Sequence, residues 1–164
     1  FNDLLGNLAL HKLDMVISDR AAPSNPNIKL YSHALGSSRI AWYGTPGLLA
    51  SSDKAFPANL AELPVLLPTA HTVVRARLDH WFELQGIRPR VVGEFEDSAL
   101  LKTFGASGMG VFPAAEAVEE ELLAHYAVQH MGRSEGVSEH FFAIGTEKKV
   151  QHPLVQRLLQ TNLS

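Results

Sequence analysis

The groups of this chain whose types and spacing invite chemistry cluster around residues 91–113, VVGEFEDSALLKTFGASGMGVFP. Glu94, Glu96 and Asp97 stand close enough together to work as a general-acid/base pair. The plainer alternative is a strand-end turn with solvated carboxylates, one of which caps the following helix. Ser107 fails as a nucleophile, because the elbow G-x-S-x-G needs glycine where Met109 stands. Gly105, Gly108 and Gly110 do not fit G-x-G-x-x-G, and they follow a predicted helix instead of opening one. A G-x-x-x-x-G-K-[ST] phosphate loop is absent as well. The histidines, at 11, 33, 71, 80, 125, 130, 140 and 152, include no H-x-x-x-H pair. On a helix, His125 and His130 would point about 140° apart. They read as exposed or singly bonded side chains, not as zinc ligands. No catalytic residue, metal site or cofactor is assigned, and the chain does not read as an enzyme.

What must position these groups is an alternation of strands and helices. Val91 to Phe95 is a β-branched and aromatic run, expected as a buried parallel strand. Asp97 or Ser98 caps the next helix, where Ala99 to Phe104 sets Leu100, Leu101 and Phe104 on one face. The three glycines break that helix, and Val111-Phe112-Pro113 begins another strand. In such a unit, ligands meet the carboxyl end of the strand and the helix N-terminus. A second unit of the same kind precedes it. Val65 to Pro68 is a strand, Thr69 or His71 lies where a helix begins, and Thr72 to Gln85 should bury Val73, Leu78, Trp81 and Phe82 before Gly86 stops it.

Elsewhere, Leu4, Leu5 and Leu8 predict a helix at the start, followed by a strand over Leu13 to Ile17. A Pro/Asn/Ser loop covers Arg20 to Asn27. Ile28 to Leu35 and Arg39 to Tyr43 are extended, with a break at Gly36-Ser37-Ser38, and Asn59 to Glu62 makes a helical turn. A helix over Ala114 to Tyr126, a strand over Ser138 to Gly145 and a closing helix from His152-Pro153 through Leu159 complete the pattern. A chain that opens on a helix feeding a central strand is expected to be a fragment lacking an earlier strand.

Composition sets the outer limits. The 164 residues, 46% apolar and 19% charged, suffice for one ordinary domain or two small lobes and exclude disorder. A net charge of −3, with no Lys/Arg run, gives no general attraction to nucleic-acid phosphates. The absence of cysteine excludes disulfides, thiolate metal sites and a cysteine nucleophile, and fits a reducing cytoplasm. No apolar run is long enough to span a bilayer, and no signal peptide opens the chain, so no membrane partner is expected.

The order of helix, LDMVISD strand, loop, two extended segments, LPVLLP strand, helix, RPRVVGEFED strand, helix and GMGVFP strand resembles the effector-binding domain of LysR-type transcriptional regulators. Particular runs are similar to one branch of that family, activators of a sodium/proton antiporter gene. These are His11-Lys12-Leu13-Asp14-Met15-Val16-Ile17-Ser18-Asp19, Phe56-Pro57-Ala58, and Trp81-Phe82 with Gln85-Gly86. Gly93-Glu94-Phe95 through Phe104-Gly105-Ala106, and Gln151-His152-Pro153 leading to Val155-Gln156-Arg157, complete the set. Departures are the glycine-rich Ser107 to Gly110 and the loop after Arg20.

The resemblance implies an α/β, periplasmic-binding-protein-like (type II) fold of two lobes, N-terminally truncated, with an inducer cleft between them. Lobe I would comprise 1–35 with 138–164, and lobe II 36–137. By position, the cleft residues would be Ser18, Asp19 and Arg20 of lobe I, and Thr69, His71, Thr72, Glu96, Asp97 and Ser98 of lobe II, with Phe112 and Pro113 as an apolar wall. Hydroxyls and helix-end amides suit a small polar or anionic effector, whereas carboxylates at 19, 96 and 97 suit a cation such as sodium. The implied partners are that effector, promoter DNA through an N-terminal winged helix-turn-helix outside this chain, and further copies in a homodimer or homotetramer. The competing expectation is a solute-binding protein of a transporter.

Overall fold

The computed structural model describes residues 16–18, 20–23 and 29–146. The chain divides into two compact units, one drawn from Phe1–Ser37 and His140–Ser164, the other from Ser38–Glu139. The predicted helix at the start, most of the LDMVISD strand, Asp19 and the closing helix lie outside the described residues.

In the first unit, β1 (Val16–Ser18) pairs antiparallel with the end of β6 (Gln129–Gly145), Val16 opposite Ile144 and Ser18 opposite Phe142. Val16 and Ile144 are buried there, with Ala22 and Leu30 packed against them.

The second unit is built on an apolar strand, β3 (Pro64–Pro68), whose Val65, Leu66 and Leu67 are all fully buried. β4 (Arg90–Phe95) runs parallel to it, from Pro64 opposite Arg90 to Pro68 opposite Phe95. On the other side of β3, Val111 forms a parallel bridge with Val65: Val111 N–H donates to Pro64 O at 2.9 Å and Leu66 N–H to Val111 O at 2.8 Å. β5 (Phe112–Ala115) continues from Val111 and pairs antiparallel with β2 (Tyr31–Gly44), Ile40 opposite Ala115 through Tyr43 opposite Phe112. β6 lies beside β2. The order across this unit is therefore β4, β3, β5, β2, β6. Its core gathers Tyr43, Leu66, Leu101, Phe112, Leu122 and Val128.

After β2, a short helix α1 (Pro46–Leu49) and a 3-10 turn (Ala58–Ala61) lead to β3. α2 (Val73–Gln85) joins β3 to β4, with Thr72 as its N-cap and Gly86, at φ 67°, as the left-handed residue that ends it. Leu78, Trp81 and Phe82, at helical spacing, are its buried face, while Val73 is only half-buried. α3 (Ser98–Ala106) joins β4 to β5 and is capped by Asp97.

Four expectations are corrected. β4 is an outer strand instead of a buried one, with Val91 37% and Val92 42% exposed, because among the described residues it pairs only with β3. The inward face of α3 is Leu101 with Gly105, four residues on; Leu100 and Phe104 form the outward face. Gly105 is required, since a Cβ there would collide with the Phe112 ring. The segment Ala114–Tyr126 is not one helix: β5 runs to Ala115, a 3-10 turn covers Glu116–Val118, and α4 spans Glu119–His125. Finally, β2 passes unbroken through Gly36-Ser37-Ser38, with Gly36 at φ 148°, a backbone angle that residues with side chains rarely adopt.

Candidate functional site

β3 and β4 end side by side, and the ladder extends one step past them: Thr69 N–H donates to Phe95 O at 3.0 Å. Two turns start there. Thr69–Thr72 leads into α2, and Glu96–Asp97 leads into α3. The structure thus brings Thr69, His71 and Thr72 to the same sheet end as Glu96, Asp97 and Ser98, at two helix N-termini where backbone amides and the helix dipole favour negative charge.

Within these turns some groups are occupied and others are not. Thr72 Oγ1–H donates to Thr69 O at 2.9 Å, and the same oxygen accepts from Arg75 N–H at 3.3 Å. Asp97 Oδ1 accepts from Ala99 N–H at 2.7 Å and Leu100 N–H at 3.3 Å. Asp97, not Ser98, is therefore the cap. Among the described residues no hydrogen bond is made by the side chains of Thr69, Glu96 or Ser98, which leaves these available to a ligand.

Glu94 belongs to a different arrangement. Arg75 Nη1–H donates both to Pro68 O at 2.8 Å and to Glu94 Oε2 at 3.1 Å, and Arg75 Nε–H donates to Asp79 Oδ1 at 2.9 Å. Burial works against the Arg75 charge, and hydrogen bonds to Asp79 and Glu94 outweigh it, so the guanidinium sits above its ordinary pKa. Arg75 ties α2 to the ends of both strands. Glu94 is an ion-pair partner there, which removes it from any acid/base pair with Glu96 and Asp97.

The third parallel segment, Val111 into β5, ends on the same side in a denser polar cluster. Arg133 of β6 grips Glu116 with two hydrogen bonds, Nε to Oε1 at 2.6 Å and Nη2 to Oε2 at 3.0 Å. That grip, ahead of opposing burial, holds the Glu116 carboxyl below its ordinary pKa, with help from the nearby charges of Arg133, His130 and Arg39. Tyr43 O–H donates to Glu119 Oε1 at 2.9 Å; burial first, then this bond, pushes its phenol well above the ordinary value. His130 Nε2 lies 3.8 Å from Glu116 and 3.9 Å from Glu119. Ser38 Oγ accepts from Ala117 N–H at 2.9 Å. Sequence reasoning missed all of these residues. Their partners stand far apart in the chain and no local spacing announces them.

Phe112 and Pro113 lie inside β5, Phe112 wholly buried with its ring 6.0 Å from that of Tyr43. They support the site from within the core and offer no wall to solvent. In the first unit, Ser18 Oγ accepts from Arg20 N–H at 3.2 Å. Asp19 lies outside the described residues. Among the described residues no group of three or more His, Asp or Glu could hold a metal ion, and no helix is long and apolar enough to cross a membrane.

A family model, the LysR substrate binding domain, matches residues 1–162. The chain is 37% identical over 161 residues to the "Transcriptional activator protein NhaR" of Escherichia coli (strain K12), an alignment covering 98% of this chain and 52% of the relative. A protein of the same name from Shigella flexneri aligns with the same identity and coverage. The chain thus spans about half the length of these curated relatives. Among solved structures, HinK, a LysR family transcriptional regulator from Pseudomonas aeruginosa, superposes with a TM-score of 0.69 at 13% identity, over 98% of this chain and 55% of HinK. The effector binding domain of QuiR in complex with shikimate gives 0.62 at 15% identity, over 96% of this chain and 73% of that one. These likenesses establish the fold as the periplasmic-binding-protein-like type II fold of LysR effector-binding domains.

Proposed function

This chain belongs to the LysR substrate binding domain family, and on that premise we propose that it is the effector-sensing and dimerisation part of a DNA-binding transcriptional activator. The observation that carries the reading is 37% identity to NhaR across 98% of the chain. Likeness to a curated activator over that extent favours a regulator over a transporter's solute-binding protein. In this reading the effector meets the second unit at the paired turns, with Thr69, Glu96 and Ser98 as its hydrogen-bonding groups, Thr72 and Asp97 as the caps that shape them, and His71 beside them. Ser18, Asp19 and Arg20 are the contacts proposed for the first unit. The effector is a small polar molecule or an ion, sodium among the ions, and the protein works as a homodimer or homotetramer in the cytoplasm.

DNA is contacted by a winged helix-turn-helix outside these residues. The −3 charge supports this division, because DNA affinity comes largely from phosphate contacts by Lys and Arg. The test is a gel shift with the upstream region of the gene this protein controls. Full-length protein should bind it, sodium or another effector should alter the complex, and this chain alone should leave the DNA free. Salt-sensitive, sequence-selective binding by the isolated chain would overturn the division, and failure of the full-length protein to bind any promoter would overturn the regulator reading.

A further inference from the structure

The second unit holds a cavity of about 270 Å3 between α3 and α4, on residues that the regulator reading does not use apart from Ser98. Its two walls differ in chemistry. On α3, Ser98 and Lys102 are four residues apart and share a face, so one wall presents a hydroxyl and an ammonium. On α4, Glu121 and His125 share a face by the same spacing, so the opposite wall presents a carboxylate and an imidazole, with Tyr126 just beyond. Ala99, Val118 and Leu122 supply apolar surface between them. Lys102 and Glu121 form no ion pair with each other across this space, although both line it.

We propose that this cavity is a second ligand site, for a small zwitterion carrying one carboxylate and one amine on a short apolar body. The carboxylate would lie against Lys102 and the Ser98 hydroxyl, the amine against the Glu121 carboxylate, and the apolar body on Leu122 and Val118. A ligand with a carboxylate alone would face Glu121 as a like charge, and an amine alone would face Lys102. The zwitterion is the one charge arrangement that satisfies both walls. Pockets for drug-sized ligands run to about 300–1,000 Å3, and the roughly 270 Å3 here has room for a molecule of amino-acid size. The site lies wholly within the second unit, shares only Ser98 with the effector reading, and is tested at Lys102 and Glu121, which that reading does not use.

The experiment uses the 164-residue chain and L-alanine as probe, with propionate and ethylamine as single-charge controls. Nuclear magnetic resonance follows the signals of Lys102, His125 and Tyr126 during titration. L-alanine should give saturable shifts at these residues, with affinity at least about 10-fold above either control, as expected for one added charge-assisted hydrogen bond. Lys102→Gln should weaken alanine binding by about 10-fold or more, and Glu121→Gln should bring alanine down to the level of propionate. Both residues sit at the helix surface, and circular dichroism checks that each variant folds; if one does not, the other decides. Shifts that do not saturate, propionate binding as tightly as alanine, or a folded variant that binds alanine unchanged would overturn the proposal. None of these results bears on promoter binding.

Discussion

Asp97 can be tested as a cap and as an effector ligand by comparing Asp97→Ala with Asp97→Asn. Its Oδ1 accepts from Ala99 N–H and Leu100 N–H, two amides of the first turn of α3 that have no partner within the helix. Alanine removes the acceptor, a loss of about 1 kcal/mol for an N-cap. It also removes a negative charge from a helix N-terminus, worth about 0.3–1 kcal/mol at an exposed site. Alanine should therefore cost roughly 1.3–2 kcal/mol, and asparagine, which keeps an acceptor oxygen, only about the 0.3–1 kcal/mol of the charge. Urea unfolding of both variants gives these numbers. A reporter assay in the full-length protein, with and without sodium, gives the sensing role. If Asp97 shapes the turn and does not bind the effector, Asp97→Asn should keep induction while Asp97→Ala weakens it. An asparagine variant as unstable as alanine would refute the capping argument. One of near wild-type stability that no longer responds would make the charge itself part of the effector site.

Other substitutions probe the frame that holds these turns. Trp42 Nε1–H donates to Ser134 Oγ at 2.7 Å with both residues fully buried, so Trp42→Phe or Ser134→Ala strands a polar group and should cost about 1–3 kcal/mol by urea unfolding. Their double variant should cost less than the sum of the two, and simple additivity would deny the bond. Trp81, 5% exposed and stacked on Phe56, should lose about 3–5 kcal/mol as Trp81→Ala, read as a lower melting temperature; a loss below 1 kcal/mol would place it outside the core. Gly105→Ala should destabilise by about 1–3 kcal/mol, because the added methyl meets the Phe112 ring, and an unchanged unfolding midpoint would show that α3 can shift. Glu116 has its folded pKa below the ordinary 4.5, so its contribution to stability is present above that value and fades as pH falls through the lower folded one. Melting temperature followed from pH 7 downward should show this acid loss in the native protein and a shallower one in Glu116→Gln.

The parts of the fold that were legible in the sequence are those where a local pattern and the tertiary structure agree. Val65-Leu66-Leu67 is an apolar run because β3 has neighbours on both sides, and Thr72 and Gly86 bound α2 because helix ends need an acceptor and a left-handed residue. Patterns misled where burial depends on the neighbour. Val91 and Val92 are β-branched and suit a strand, but nothing in their spacing says that β4 is outermost. Likewise Leu100, Leu101 and Phe104 look alike, and Gly105 alone marks the inward face, through its contact with Phe112. The first half of β6 went unread because Gln129 to Glu135 is polar, and it is held partly by side-chain bonds from Ser134 and Arg133 that no periodicity shows. The candidate site divides along the same line. Strand-end turns and their caps follow from short-range rules, so Thr69, Thr72, Asp97 and Ser98 were reachable. Glu116, Arg133, Tyr43 and Ser38 meet only when β5, β2 and β6 are side by side, a fact of topology. Phe112 and Pro113 show the converse error. The resemblance sets them by position as an apolar cleft wall, yet pairing with Tyr43 and Trp42 across β2 puts both in the core. Phe112 and Pro113 fill the core, so in the reading proposed here recognition at this sheet end falls to the turns that emerge from the strands.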